Sequence, residues 1–236
     1  MKNTESSVVQ WHIEGDRSLL AARLAAHVAD WLQAALERRE RASLALSGGS
    51  TPRLFLQALS QQVLPWERVD VLPVDERWVA PDSDQANERL IRETLLVGEA
   101  SRARFFPLLG AEVTAQAQAR QLDLSLRAVA RPLDVAVMGM GEDAHTASWF
   151  PGAPELDEAL PEASERLCVA ATAPSAPSTR LTLTWPVIRD AAHCALLIHG
   201  GDKKHRLQQV LDTTGSVTDE PVRILLRRPL SIYWSA

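Results

Sequence analysis

"SLALSGGSTPRLFLQAL", residues 43–59, reads as a strand, a tight loop and a helix in direct succession. The short apolar run up to Leu46 suits a strand covered on both faces, where hydrophobic residues follow one another without alternation. It ends at Gly48 and Gly49. Pro52 then stands where a helix begins, because its fixed φ suits the first turn and its missing N–H is not needed there. A strand feeding a helix through a glycine loop is the building block of a parallel α/β sheet.

The same alternation extends in both directions. "VVQWHI" (8–13) reads as a strand, and Leu20, Leu24, Val28, Trp31 and Ala35 recur at helical spacing between Ser18 and Glu37. "RVDVLPV" (68–74) is a strand ending at "DERWV", followed by a helix over "NERLIRETLL" (87–96) and a long helix over "AEVTAQAQARQLDLSLRAVA" (111–130). "LDVAVMG" (133–139) and "HCALLIHG" (193–200) are strands, the second running into a helix at "DKKHRLQQVL" (202–211), and "LSIYWS" (230–235) reads as an edge strand. The pattern predicts an α/β fold, an open, mostly parallel twisted sheet with helices on both faces, Rossmann-like and built from right-handed crossovers. "APSAPST" (173–179) reads as a surface loop rather than a boundary, so residues 1–236 are expected to form a single domain.

Composition narrows the classes. Thirty acidic against 25 basic residues give a net charge of −5, without the basic excess that a nucleic-acid partner demands. "MKNTESSVVQ" has no apolar core of a secretion signal, and no run approaches the ~18 apolar residues of a membrane span. Cys168 and Cys194 lie in apolar strand-like runs and read as buried thiols. A cytoplasmic protein with neither membrane nor nucleic-acid partner is expected.

In an open α/β sheet, ligands bind beyond the carboxyl ends of the strands. Four polar clusters fall there, and they are expected to converge. In "LSGGSTP", the backbone N–H groups of Ser47, Gly48, Gly49, Ser50 and Thr51 and the following helix end suit an anion, although a plain capped turn would have the same sequence. In "DERW", Arg77 suits an anionic group or a developing oxyanion; a solvated turn with an internal ion pair is the alternative. In "GMGEDAHT", His145 suits a general base, with Asp143 near enough to orient it, while Gly139 and Gly141 offer backbone donors to an oxyanion. A helix start with acids at its positive end would also fit. No second ligand cluster accompanies these acids, so no metal is expected. In "GGDKK", Lys203 can reach an anion, and Arg180 precedes "LTLTW".

Together, "LSGGSTP", "DERWV", "GMGEDAHTASWFP", "RLTLTWPVI" and "GGDKK" resemble the 6-phosphogluconolactonase family, nearly end to end and including the closing "PVRILLRRPLSIYW". The resemblance implies a single lactonase domain of the sugar-phosphate isomerase/lactonase type. It implies hydrolysis of 6-phospho-D-glucono-1,5-lactone to 6-phosphogluconate in the oxidative pentose phosphate pathway, without metal or organic cofactor. It further implies that His145 activates water, that Asp143 orients it and that Arg77 binds anionic substrate groups. The loop from Ser47 to Thr51, Arg180 and Lys203 would then receive the 6-phosphate. Two rivals follow from the same wider group. One is a glucosamine-6-phosphate deaminase or isomerase, against which "DERW" and "HTASWFP" speak. The other is a non-catalytic sugar-phosphate sensor, against which the retention of both Asp143 and His145 speaks. One departure stands out, since Ala144 occupies the place of a family glycine. It is expected at an ordinary negative φ, where alanine merely stiffens the loop.

Overall fold

The computed structural model describes residues 8–236, so the reading of the first seven residues as lacking a secretion signal lies outside the described residues. In chain order the elements are β1 (Val9–Glu14), α1 (Arg17–Leu36), β2 (Ala42–Leu46), α2 (Arg53–Ser60), β3 (Val69–Pro73), β4 (Asp75–Arg77), α3 (Asn87–Thr94), β5 (Arg104–Phe105), α4 (Ala115–Ser125), β6 (Val135–Met138), α5 (Leu156–Ala159), β7 (Cys168–Thr172), β8 (Thr179–Leu183), α6 (Trp185–Arg189), β9 (His193–His199), α7 (Gly201–Asp212) and β10 (Leu230–Ser235). Seven strands form a sheet in the order β1-β10-β9-β6-β2-β3-β5, and every neighbouring pair is parallel. A second, antiparallel sheet in the order β4-β8-β7 packs beside it. None of the described helices is long and apolar enough to cross a membrane.

Successive side chains of a strand point to opposite faces, and the two halves of the core follow that rule. Leu44, Val135, Val137 and Leu197 pack with α1, α2 and α3 on one face. Ala45, Ala136, Met138, Leu196 and Ile198 pack with α4, α7 and the small sheet on the other. Both faces are covered, which is why the strands read as unbroken apolar runs. Asp16 caps α1, its carboxylate accepting from the amides of Ser18 (2.8 Å) and Leu19 (3.0 Å).

Two expectations need correction. "LSIYWS" is not an edge strand: β10 lies between β1 and β9, with Ile232 and Tyr233 fully buried, and the edges are β1 and β5. Last in the chain is not outermost in the sheet, because a crossover returns the chain to a slot that β1 borders. The long helix over 111–130 is also shorter. It starts only after Thr114, whose hydroxyl oxygen accepts from the Ala117 amide (3.2 Å), and ends at Ser125 before a 3-10 turn.

Candidate active site

The loops following β2, β6 and β9, with the short strand β4, enclose one cleft of about 250 Å³. That is below the ~300 Å³ lower end of pockets for drug-sized ligands and suits a small metabolite.

The loop after β2 forms one wall. The Ser47 amide donates to the Val137 carbonyl (2.9 Å) and its hydroxyl oxygen accepts from the Gly139 amide (2.8 Å), so the ends of β2 and β6 are stapled together. Gly48 is pressed on Asn87; a Cβ there would lie 1.9 Å from the Asn87 Oδ1. Gly49 turns at φ +87°, a region only glycine enters freely. Among the described residues, the amides of Gly48, Gly49, Ser50 and Thr51 make no backbone–backbone hydrogen bond. The N-terminus of α2 follows without a side-chain cap. Free donors, a helix end and Lys203 from the first turn of α7 face the same cleft, an arrangement that favours an anion.

β4 forms a second wall. Asp75 and Arg77 line the cleft, while Glu76 points the opposite way and is fully buried. Its carboxylate accepts from the amides of Arg77 (2.7 Å), Asn87 (2.8 Å) and Glu88 (2.7 Å), which fixes the start of α3 against β4. Burial pushes this carboxyl up to about 7, against the pull of those amides and with Asp75 adding to the rise. The internal ion pair considered for "DERW" does not form: Arg77 donates to the Gln85 carbonyl (2.6 Å), and Asp75 is held by the Ser148 hydroxyl (2.6 Å) and by Asn87, whose side-chain amide donates to the Asp75 carbonyl (2.8 Å).

The loop after β6 brings an acid and an imidazole together at the cleft. His145 Nδ1 and Asp143 Oδ1 are 2.5 Å apart, and the Asp143 oxygen also accepts from the His145 amide (3.1 Å). Burial alone would raise the Asp143 carboxyl, but the adjacent His145 ring holds it below its ordinary range. The ring lies over Gly141, where a Cβ would come within 2.2 Å of it, and packs against Phe150 at 4.8 Å. No helix begins at this loop. Instead the Ala144 amide donates to the Gly141 carbonyl (3.1 Å) and the Gly141 amide to the His145 carbonyl (2.9 Å). This is the pattern of a tight turn closed by a bulge whose first residue takes the left-handed region. Ala144 is that residue, at φ +68°, so the expected negative φ is wrong. Ala147, two residues beyond His145, also lies there, at φ +49°.

The predicted site residues are thus largely gathered. His145, Arg77, the Ser47–Thr51 loop, Lys203, Gly139 and Gly141 line the cleft, and Asp143 reaches it through His145. Two assignments change. The amides of Gly139 and Gly141 already donate to Ser47 and His145, so neither is free for an oxyanion. Arg180 is not in the lining; it stands opposite Arg77 in the β4–β8 pairing and donates to the Pro177 carbonyl. Burial, and then the neighbouring Arg77, push the Arg180 guanidinium below its ordinary value. Asp75 and Asn87 were missed. Asp75 had a signal, its place beside Arg77 at a strand end; Asn87 had none, because its role depends on packing against Gly48.

Comparison with known proteins agrees with this geometry. A family described as glucosamine-6-phosphate isomerases/6-phosphogluconolactonase matches residues 15–234. A 6-phosphogluconolactonase of Rhizobium meliloti is 44% identical, covering 95% of this chain and 97% of its own. One of Pseudomonas putida is 40% identical, covering 97% and 93%. The crystal structure of a 6-phosphogluconolactonase from Shewanella baltica superposes with a TM-score of 0.92 at 39% identity, covering 99% of both chains.

Proposed function

Because the chain belongs to the glucosamine-6-phosphate isomerase/6-phosphogluconolactonase family, we propose that it hydrolyses 6-phospho-D-glucono-1,5-lactone to 6-phosphogluconate, the second step of the oxidative pentose phosphate pathway. The observation that carries this is the Asp143–His145 pair standing in the same cleft as an anion-binding loop. The whole chain acts as one lactonase domain, in the cytoplasm.

Asp143 faces Nδ1 and selects the tautomer protonated there, which leaves Nε2 to accept a proton from water. The resulting hydroxide attacks the lactone carbonyl carbon, and the carbonyl electron pair moves to oxygen. With the Gly139 and Gly141 amides engaged, Arg77 is the donor to that oxyanion. Collapse of the tetrahedral species breaks the bond to the ring oxygen, which takes the proton back from His145. A lactone is an activated ester, so this scheme needs no covalent nucleophile, metal or organic cofactor. The phosphate is held by the Ser47–Thr51 loop and Lys203, and its binding energy fixes the remote carbonyl beside His145. Arg180 crowds Arg77 with a like charge, a repulsion that a bound anion relieves.

The test is hydrolysis of freshly generated lactone, measured against its spontaneous background. His145→Ala should lower the enzymatic rate by roughly 10²–10⁴-fold, the usual loss of a general base, with an unchanged circular dichroism spectrum. A folded variant with near-normal kcat would remove His145 from this role. Ammonia release from glucosamine 6-phosphate, with no lactone hydrolysis above background, would favour the deaminase instead.

A further inference from the structure

The loop that carries His145 is braced from outside itself. The amide of Val222, a buried residue, donates to the Ala144 carbonyl (2.9 Å). Beyond His145, the Gly152 amide donates to the Thr218 carbonyl (2.8 Å), two residues after the Phe150 ring that packs on the imidazole. One segment, residues 216–222, thus holds the His145 loop on both sides. The segment itself is closed by a turn, in which the amides of Asp219 (3.2 Å) and Glu220 (3.0 Å) donate to the Ser216 carbonyl.

The proposed chemistry does not use Glu220, yet both its carboxylate oxygens are engaged. Oε1 accepts from Arg206 Nη1 (2.8 Å). Oε2 accepts from Arg223 Nε (3.0 Å) and also from Arg223 Nη2. Arg223 in turn donates through Nη1 to the carbonyls of Val210 and Thr213 (2.7 Å each), at the C-terminal end of α7, where a cation suits the helix dipole. The bond to Arg223 holds the Glu220 carboxyl below its ordinary range, against its partial burial and with help from Arg206. The side chains of Arg206, Glu220 and Arg223 are 29%, 15% and 12% exposed, so they form a partly enclosed network and not a screened surface pair. Arg206 stands three residues after Lys203 on α7, a spacing that puts both on one face of the helix.

We infer that Glu220 is a positioning residue, which clamps the segment bracing the His145 loop to the helix that carries Lys203. The clamp fixes the distance between the imidazole and the phosphate-binding end of the cleft. Without the carboxylate, two neighbouring guanidiniums repel one another and loosen the segment from α7. Phosphate binding energy can serve the chemistry only while the two ends of the cleft keep their separation.

This rests on the proposed lactonase function only for its kinetic arm. Glu220→Ala should lower kcat on the phosphorylated lactone by roughly tenfold, within the ~10²-fold that an ångström of misplacement costs. Calorimetric titration with inorganic phosphate should give the wild-type Kd, because the anion loop and Lys203 are intact. Unphosphorylated gluconolactone, which no phosphate tethers, should be hydrolysed at the wild-type rate. Arg206→Ala should give the same split, and it carries the test if Glu220→Ala does not fold. Arg206→Lys, which keeps a cation within reach, should restore most of kcat, and the double variant Glu220→Ala/Arg206→Ala should be no worse than either single one. Equal losses on both lactones would overturn the inference, as the mark of local support for the His145 loop alone. Weakened phosphate binding with kcat unchanged, or wild-type kinetics in both variants, would overturn it too. The independent arm needs no turnover: saturating inorganic phosphate should slow hydrogen exchange at the Val222 amide in wild type, and Glu220→Ala should abolish that slowing. Its absence in wild type, or its persistence in Glu220→Ala, counts against the clamp. A wild-type protein that shows the protection but hydrolyses no lactone would instead overturn the function and leave the inference standing.

Discussion

At Ala144 the backbone sits at φ +68° and the methyl group is fully buried. The two facts oppose one another. An L-residue in the left-handed region is strained by about 1–2 kcal/mol. Burying one methyl recovers about 0.8 kcal/mol, and alanine has less unfolded-chain freedom than glycine, worth another ~0.4–1 kcal/mol. The terms nearly cancel, which is how an alanine persists where the turn geometry favours glycine. Ala144→Gly should accordingly change stability by no more than about 1 kcal/mol and kcat/KM by less than about threefold, the latter corresponding to well under the 1.4 kcal/mol of a tenfold effect. Ala144→Val, β-branched at positive φ, should destabilise by at least ~2 kcal/mol and impair His145 beside it. Chemical denaturation of the two variants decides; a glycine variant stabilised by more than ~1 kcal/mol would show that the methyl offsets little of the strain. The pair Asp143 and His145 was legible because the residues are neighbours in the chain. The backbone of Ala144 was not, because its carbonyl is tied to the Val222 amide (2.9 Å), a partner no local pattern reveals.

Among the elements, the parallel strands were legible as unbroken apolar runs, and the small antiparallel sheet was not. β4 has three residues, only one of which is buried, and its partners β7 and β8 come far later in the chain. β5 is shorter still. What gives β4 its place is Glu76, for which a solvated turn was the alternative reading and which is found sealed under the start of α3. Its raised pKa sets a sign. From about pH 4.5 to about 7 the folded chain keeps a proton on Glu76 that the unfolded chain has released. The folded state binds more protons there, so this group's contribution to stability falls as pH rises through that window and is level above it. Glu76→Gln cannot titrate. The stability of wild type relative to this variant should therefore decline between pH 4.5 and 7, by on the order of 3 kcal/mol at most. Urea unfolding at several pH values measures it. A flat difference would mean that the three amides outweigh burial and keep Glu76 ionised throughout.

On the scale of the whole molecule, parallel strands put all their carboxyl ends on one side, so clusters scattered from Ser47 to Lys203 meet in one cleft. That convergence could be read from strand order alone; the membership of Arg180 could not, because whether a side chain enters the cleft or turns to a neighbouring loop is decided by packing. In the proposed scheme the cleft divides its labour by distance along the substrate: His145 and Arg77 would act at the reacting carbonyl, while the free amides of the anion loop and Lys203 would hold the phosphate. An anion that fills only the second part should still stabilise the fold, since it binds the native state alone. Inorganic phosphate at 100 times its Kd would add about 2.7 kcal/mol, which for a chain of this size raises Tm by roughly 5–10 °C. Lys203→Ala should shrink that shift at a fixed phosphate concentration. The same variant should raise KM and also lower kcat, because phosphate binding energy that aligns the carbonyl is used in the transition state as well as the ground state. An increase in KM alone would mean that Lys203 only captures the substrate. No change in either the Tm shift or the kinetics would place the phosphate elsewhere in the cleft, with Arg77 the next group to substitute.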